Sequence, residues 1–204
     1  MKLTILLIIL NVFAFLYTLV DLDYYIDNYG FSTERFLAGH YEVLLTSMFL
    51  HSSLIHLGGN MLFLFFLGWT IEKNSKLWQY ILAYFLSGIA GAFSMFLLPP
   101  DAIAVGASAA ISGLVGLGVF LCPTKFVIFE VIPMPFVLAG ALYLIANVTG
   151  LLAPSNIGYH AHLAGFATGA VMGLKWGGHG MRRFLLFIGV LTAVVAIFLY
   201  VGWL

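Results

Sequence analysis

Seven long apolar runs leave this chain little choice of solvent. They lie at Leu3 to Val20, Val43 to Trp69, Leu77 to Leu98, Ile103 to Leu121, Phe126 to Val148, Gly158 to Leu174 and Phe184 to Leu204. Each is near the ~20 residues that a helix rising about 1.5 Å per residue needs to cross a hydrocarbon core of about 30 Å. With 63% hydrophobic residues, 8% charged residues and a mean hydropathy of +1.09, the sequence departs far from soluble usage, in which about a quarter of residues are charged. Backbone groups in lipid must be satisfied within their own segment, and the dyad alternation of a membrane barrel is absent. The predicted fold is therefore an all-α polytopic bundle of seven transmembrane helices, read as one membrane domain over residues 1–204.

Loop charge sets the expected orientation. An amino terminus on the cytoplasmic side puts Lys2, Lys73, Lys76, Lys125, Lys175, Arg182 and Arg183 inside and leaves Arg35 outside, with the carboxyl terminus outside. The first run follows Lys2 but offers no small-residue cleavage pattern, so it is expected to be a retained span. One long connection, Asp21 to Glu42, is external and rich in Tyr, Phe and Asp; connections of this kind often serve as lids or interfacial elements. The formal net charge is zero, which gives no reason to expect nucleic acid as a partner. Cys122 is the only cysteine, so an internal disulfide or a thiolate cluster for a metal is excluded.

Against this apolar background five polar side chains stand out: His51, His56, Asn60, Ser108 and His162. Polar groups at membrane depth are costly and mark function by default. The second, fourth and sixth runs all begin on the outer face. Ser108 then lies about 10 Å along its run from Asp101, and His162 about 9 Å beyond Asn156, at helical rise. His56 and Asn60 are four residues apart and share a helix face. The five groups can meet in an outward-opening pocket.

A serine hydroxyl is a weak nucleophile until a base takes its proton, and neutral imidazole suits that task near pH 7. Ser108 and His162 are candidates for that pair. Acyl transfer also needs donors aimed at an oxyanion, which His56, Asn60 and backbone amides near Ser108 can supply. Each residue alone has a plainer reading. A membrane serine such as Ser108 or Ser112 can bond back to a carbonyl, and a lone His or Asn can bridge two helices. Gly106, Gly113 and Gly116, and Gly165, Gly169 and Gly173 at every fourth position, predict close backbone approach of the sixth span to a partner, expected to be the fourth.

The strings His51-Ser-Ser-Leu-Ile-His56-Leu-Gly-Gly-Asn60-Met61, Gly106-Ala-Ser108-Ala-Ala-Ile-Ser-Gly113 and Ala161-His162-Leu-Ala-Gly165-Phe166 resemble, in order, the three signature segments of rhomboid intramembrane serine proteases. Leu67-Gly-Trp-Thr-Ile-Glu72-Lys73 is similar to the stretch where that family carries a structural glutamate. The resemblance implies a catalytic core at about 44–176 with an extra seventh helix at 184–204. It implies Ser108 as nucleophile and His162 as general base, a dyad without an aspartate. It further implies His56 and Asn60 as oxyanion donors, with His51, Gly106, Gly165 and Glu72 in support.

His160 points to another side of its helix and is the poorer base. The implied activity is cleavage of single-pass membrane proteins within or near a transmembrane segment, so the expected partners are substrate transmembrane helices and the lipid bilayer. No cofactor or metal is expected. The expected location is the plasma membrane.

Three departures from the family pattern are visible. Ala109 stands where glycine is commonest, adding a methyl group beside the nucleophile. Ser112 stands where some members carry an aromatic that stacks on the catalytic histidine. Tyr41-Glu42-Val43 replaces the Trp-Arg pair that usually ends the outer loop. The alternatives are a catalytically inactive scaffold or substrate-escort protein of the same fold, and a metal-binding or ion-conducting protein using His51, His56, His160 and His162.

Overall fold

Each apolar run carries one long helix in the computed structural model, which describes residues 2–129, 131–152 and 157–202. Helix α1 (Lys2–Thr18) is followed by the short α2 (Leu22–Tyr29), α3 (Thr33–Leu37) and α4 (Val43–Thr46), then by α5 (Leu54–Asn74) and α6 (Leu77–Ser94). After a short 3₁₀ turn come α7 (Ser108–Leu121), a hairpin of β1 (Phe126–Phe129) and β2 (Ile132–Pro135), and the helices α8 (Phe136–Gly150), α9 (Tyr159–Trp176) and α10 (Gly180–Tyr200). The expected outer-loop residues Pro154 to Asn156 lie outside the described residues.

The protein is a helical bundle, and two of the seven runs are not continuous helices. The run from Val43 breaks after α4 and resumes at Leu54, because extended Ser53 caps α5 by accepting from the His56 amide at 3.1 Å. The run from Phe126 opens as an antiparallel hairpin, with Phe126 opposite Pro135 and Phe129 opposite Ile132. Pro133 and Pro135 lack the amides a helix would need there, so α8 starts only at Phe136. By length and composition α5, α6 with its 3₁₀ extension, and α10 each suffice to cross a bilayer; α1 and α2, bent by 117°, would make a fourth, broken span. Helices α7 and α8 are shorter, at 14 and 15 residues.

Helix α7 is the axis of the bundle, with every residue from Ala109 to Phe120 buried. It lies against α9 as the glycine spacing predicted. A methyl group on Gly165, Gly169 or Gly173 would run into the carbonyls of Ala109, Gly113 and Leu117 in turn, so the two backbones touch along two helical turns. Helix α1 presents a narrow stripe of Thr4, Leu7, Asn11, Phe15 and Thr18 to the bundle, while α10 buries only Phe187 and Val194. The outer connection is a folded element. Phe31 exchanges both backbone hydrogen bonds with Ala104, at 3.0 and 2.8 Å, and its ring is fully buried beside Val43, Ala92 and Met95.

Candidate active site

Four of the five polar groups line one cavity of about 1480 Å³: His56, Asn60, Ser108 and His162. His51 stands behind the wall. It is fully buried, its ring meets His56 edge-on at 5.0 Å between centroids, and its Nδ1 lies 3.3 Å from the Phe49 carbonyl. His160 also reaches the cavity and contacts the Met95 sulfur at 3.3 Å. Among the described residues no three His, Cys, Asp or Glu side chains come together in a way that would hold a metal ion.

Ser108 is the first residue of α7, so it stands where the helix's amino-terminal amides are free and its dipole is positive. The preceding loop is fixed by Gly106, whose amide donates to the Ser47 carbonyl at 2.8 Å and whose φ of +119° suits glycine. A Cβ on Gly106 would lie 2.8 Å from His56 Nε2 and 3.5 Å from Asn60 Nδ2. Two side-chain nitrogens from successive turns of α5 therefore converge on backbone two residues before the serine. Asn60 Nδ2 is buried without a partner.

The proton on His56 can be placed. Ser52 brings its amide to His56 Nδ1 at 3.5 Å and its hydroxyl at 3.1 Å. An amide can only donate, so Nδ1 accepts and the neutral ring carries its proton on Nε2, the atom that faces Gly106.

Helix α8 supplies two groups, Asn147 and Tyr143, and the start of α9 a third, Tyr159, that the sequence motifs did not single out. Asn147, only 4% exposed, places Oδ1 2.9 Å from His162 Nδ1 while its Nδ2 donates to the Tyr143 carbonyl at 2.8 Å. The Tyr143 hydroxyl contacts Ser112 Oγ, and Ser112 in turn donates to the Ser108 carbonyl at 2.6 Å. Tyr143 also stacks on Phe166 of α9 at 6.1 Å between centroids. Tyr159 meets the His162 ring edge-on at 6.2 Å. The signal for Asn147 was its polarity within an apolar run, the same signal that singled out Asn60.

The position of Ala109 has a local explanation. Its methyl group packs against Gly91 of α6, where another methyl would collide with it. Ser108 and His162 both line the cavity, with no hydrogen bond between their side chains among the described residues. Glu72 and Gly165 act at a distance. Gly165 sets the α7–α9 approach, and Glu72 accepts from the Leu3 amide at 3.1 Å and the Thr4 amide at 3.0 Å, closing the start of α1.

Comparison with known proteins places these residues in a wider pattern. The Rhomboid domain family model matches residues 38–178, a stretch that includes His51, His56, Asn60, Ser108, Asn147 and His162. The chain is similar to RHOMBOID-like protein 12, mitochondrial, of Arabidopsis thaliana, with 27% identity over 187 residues, 81% of this chain and 55% of that protein. RHOMBOID-like protein 2 of the same plant is 33% identical over 130 residues, 64% of this chain and 40% of that protein. Rhomboid protease GluP of Bacillus subtilis (strain 168) is 32% identical over 172 residues, 81% of this chain and 32% of that protein. The chain thus spans about half or less of the length of these relatives.

Proposed function

The chain belongs to the rhomboid family, and from that premise we propose that it is an intramembrane serine endopeptidase that cleaves single-pass membrane proteins within or near a transmembrane segment. The observation that carries this reading is the convergence of Ser108, His162, His56 and Asn60 on one cavity around the glycine-shaped turn at Gly106. Ser108 Oγ attacks a peptide carbonyl as His162 Nε2 takes its proton. The oxygen of the tetrahedral intermediate receives hydrogen bonds from His56 Nε2, Asn60 Nδ2 and an α7 amide, each such donor being worth about 3 to 4 kcal/mol of barrier.

The C–N bond then breaks, and the leaving amine takes the proton from His162. Water enters through the cavity, gives a proton to His162 and attacks the acyl ester, releasing the carboxylate product and restoring Ser108. Helix α7 rises only about 21 Å against a hydrocarbon core of about 30 Å, so a cavity at its amino-terminal end gives water a route to a site below the membrane surface. The amino terminus is cytoplasmic and the carboxyl terminus external, as loop charge indicates. A plasma-membrane location fits this orientation. RHOMBOID-like relatives named for mitochondria and for chloroplasts are known as well.

The test is reconstitution with a panel of transmembrane peptides. Wild-type protein should cut at least one of them, and Ser108→Ala and His162→Ala should cut none. Cleavage that persists in either variant breaks the assignment, and failure of a serine-directed phosphonate to label Ser108 points instead to a scaffold of the same fold.

A further inference from the structure

Resting on the protease reading above, we propose that Asn147 is a third, positioning member of the catalytic group, fixing the tautomer and orientation of His162. The argument is one of counting donors. Asn147 Nδ2 donates to the Tyr143 carbonyl at 2.8 Å, and only an amide nitrogen can do so. Its Oδ1 is thereby the atom 2.9 Å from His162 Nδ1. An amide oxygen only accepts, so Nδ1 must carry the proton, and Nε2 is left with the free lone pair that a base needs.

The same reasoning runs back to the nucleophile. Ser112 has one hydroxyl proton and donates it to the Ser108 carbonyl at 2.6 Å, so the Tyr143 hydroxyl donates to Ser112 Oγ. Helix α8 therefore holds both partners at once. Through Tyr143 and Ser112 it grips the backbone of the serine, and through Asn147, one turn further on, it grips the ring of the base. Asn147 is 4% exposed, which keeps water from competing for His162 Nδ1. The arrangement supplies the neutral equivalent of the carboxylate in a three-membered serine site. It also answers the loss of a stacking aromatic at Ser112, because an in-plane hydrogen bond restrains a ring that stacking would otherwise hold.

The experiment uses full-length protein in nanodiscs, with ¹⁵N-labelled histidine and the variants Asn147→Leu and Asn147→Asp. Two readouts are taken: the imidazole ¹⁵N shifts of His162, assigned by their loss in His162→Ala, and the rate of Ser108 labelling by a serine-directed phosphonate. Wild type should show the Nδ1-protonated tautomer. Asn147→Leu should lose that signature and label at least about 10²-fold more slowly, the scale expected when a catalytic histidine is left in the wrong tautomer. Asn147→Asp, which keeps an acceptor facing Nδ1, should restore the signature and most of the rate.

A Nδ1-protonated His162 that persists in a folded Asn147→Leu variant overturns the proposal, as does an Asn147→Asp variant with the Leu phenotype in both readouts. If wild type shows the Asn147-dependent tautomer but never labels at Ser108, positioning stands and the protease reading fails.

Discussion

Glu72 at the end of α5 holds Thr4 in the first turn of α1, accepting from its hydroxyl at 2.7 Å across 68 positions of sequence. The same carboxylate takes the amides of Leu3 and Thr4, which an isolated helix would leave unpaired, and its negative charge sits at the positive end of the α1 dipole. Thr4 passes the contact on to the buried Tyr80 hydroxyl at 3.3 Å. Glu72→Ala should cost about 1–3 kcal/mol of stability by orphaning these donors, and Glu72→Gln less. Thermal unfolding in detergent checks the order. Phosphonate labelling of Ser108 well below the melting temperature should be unchanged.

Gly169 tests the close approach of α7 and α9. A methyl group there would collide with the Gly113 carbonyl, part of a backbone with no side chain to move aside. Gly169→Ala should destabilise by about 1–3 kcal/mol or more. Gly189 on α10 faces open space, and Gly189→Ala should be neutral or slightly stabilising. Parallel unfolding curves separate the two.

Gly106→Ala is expected to harm chemistry beyond its effect on folding. The left-handed φ of +119° costs a residue with a side chain about 1–3 kcal/mol. The added methyl also enters the space that His56 Nε2 faces at 2.8 Å. Peptide cleavage should fall by about 10²-fold or more, the scale of losing one oxyanion donor. A protein that melts near the wild-type temperature yet cuts this slowly meets the expectation; undiminished turnover contradicts it.

Cys122, at the carboxyl end of α7, should be a silent thiol in the folded protein. Burial pushes it up to about 12, with Arg183 and Lys125 opposing in part. Maleimide should fail to modify it at pH 7.5 until the bundle unfolds. The protonated thiol favours the folded state fully below its ordinary value of 9.0, and this contribution is lost as pH rises towards about 12. Alkaline unfolding of Cys122→Ala should therefore be shallower above pH 9 than that of wild type.

The helical class and the site differed in how far the sequence exposed them. Hydropathy located each long helix, and the glycine spacing at Gly165, Gly169 and Gly173 foretold the partner of α9, because close approach depends on side-chain size alone. Hydropathy could not tell a buried helix from the β1–β2 hairpin, since both are apolar. The cue lay instead in Pro133 and Pro135. Nor did an apolar count reveal the break before Leu54, where the decisive event is a hydrogen bond from Ser53.

Ser108, His162, His56 and Asn60 were legible from type and spacing. Asn147 offered only its polarity within an apolar run; its role was hidden, because its partner lies 15 residues away on another helix and only packing brings Oδ1 to the imidazole. The departures at Ala109 and Ser112 became intelligible the same way, through Gly91 of α6 and Tyr143 of α8.

The enclosure of α7 bears on how the protein meets membranes of different thickness. A helix buried from Ala109 to Phe120 is supported by other helices rather than by acyl chains, so a thinner or thicker leaflet cannot pull on it directly. Hydrophobic mismatch acts first on the lipid-facing surface, above all on α10, which tilts or slides at modest cost. The depth of Ser108 is thus set by protein geometry, and a change of bilayer alters which stretch of a neighbouring helix lies level with it.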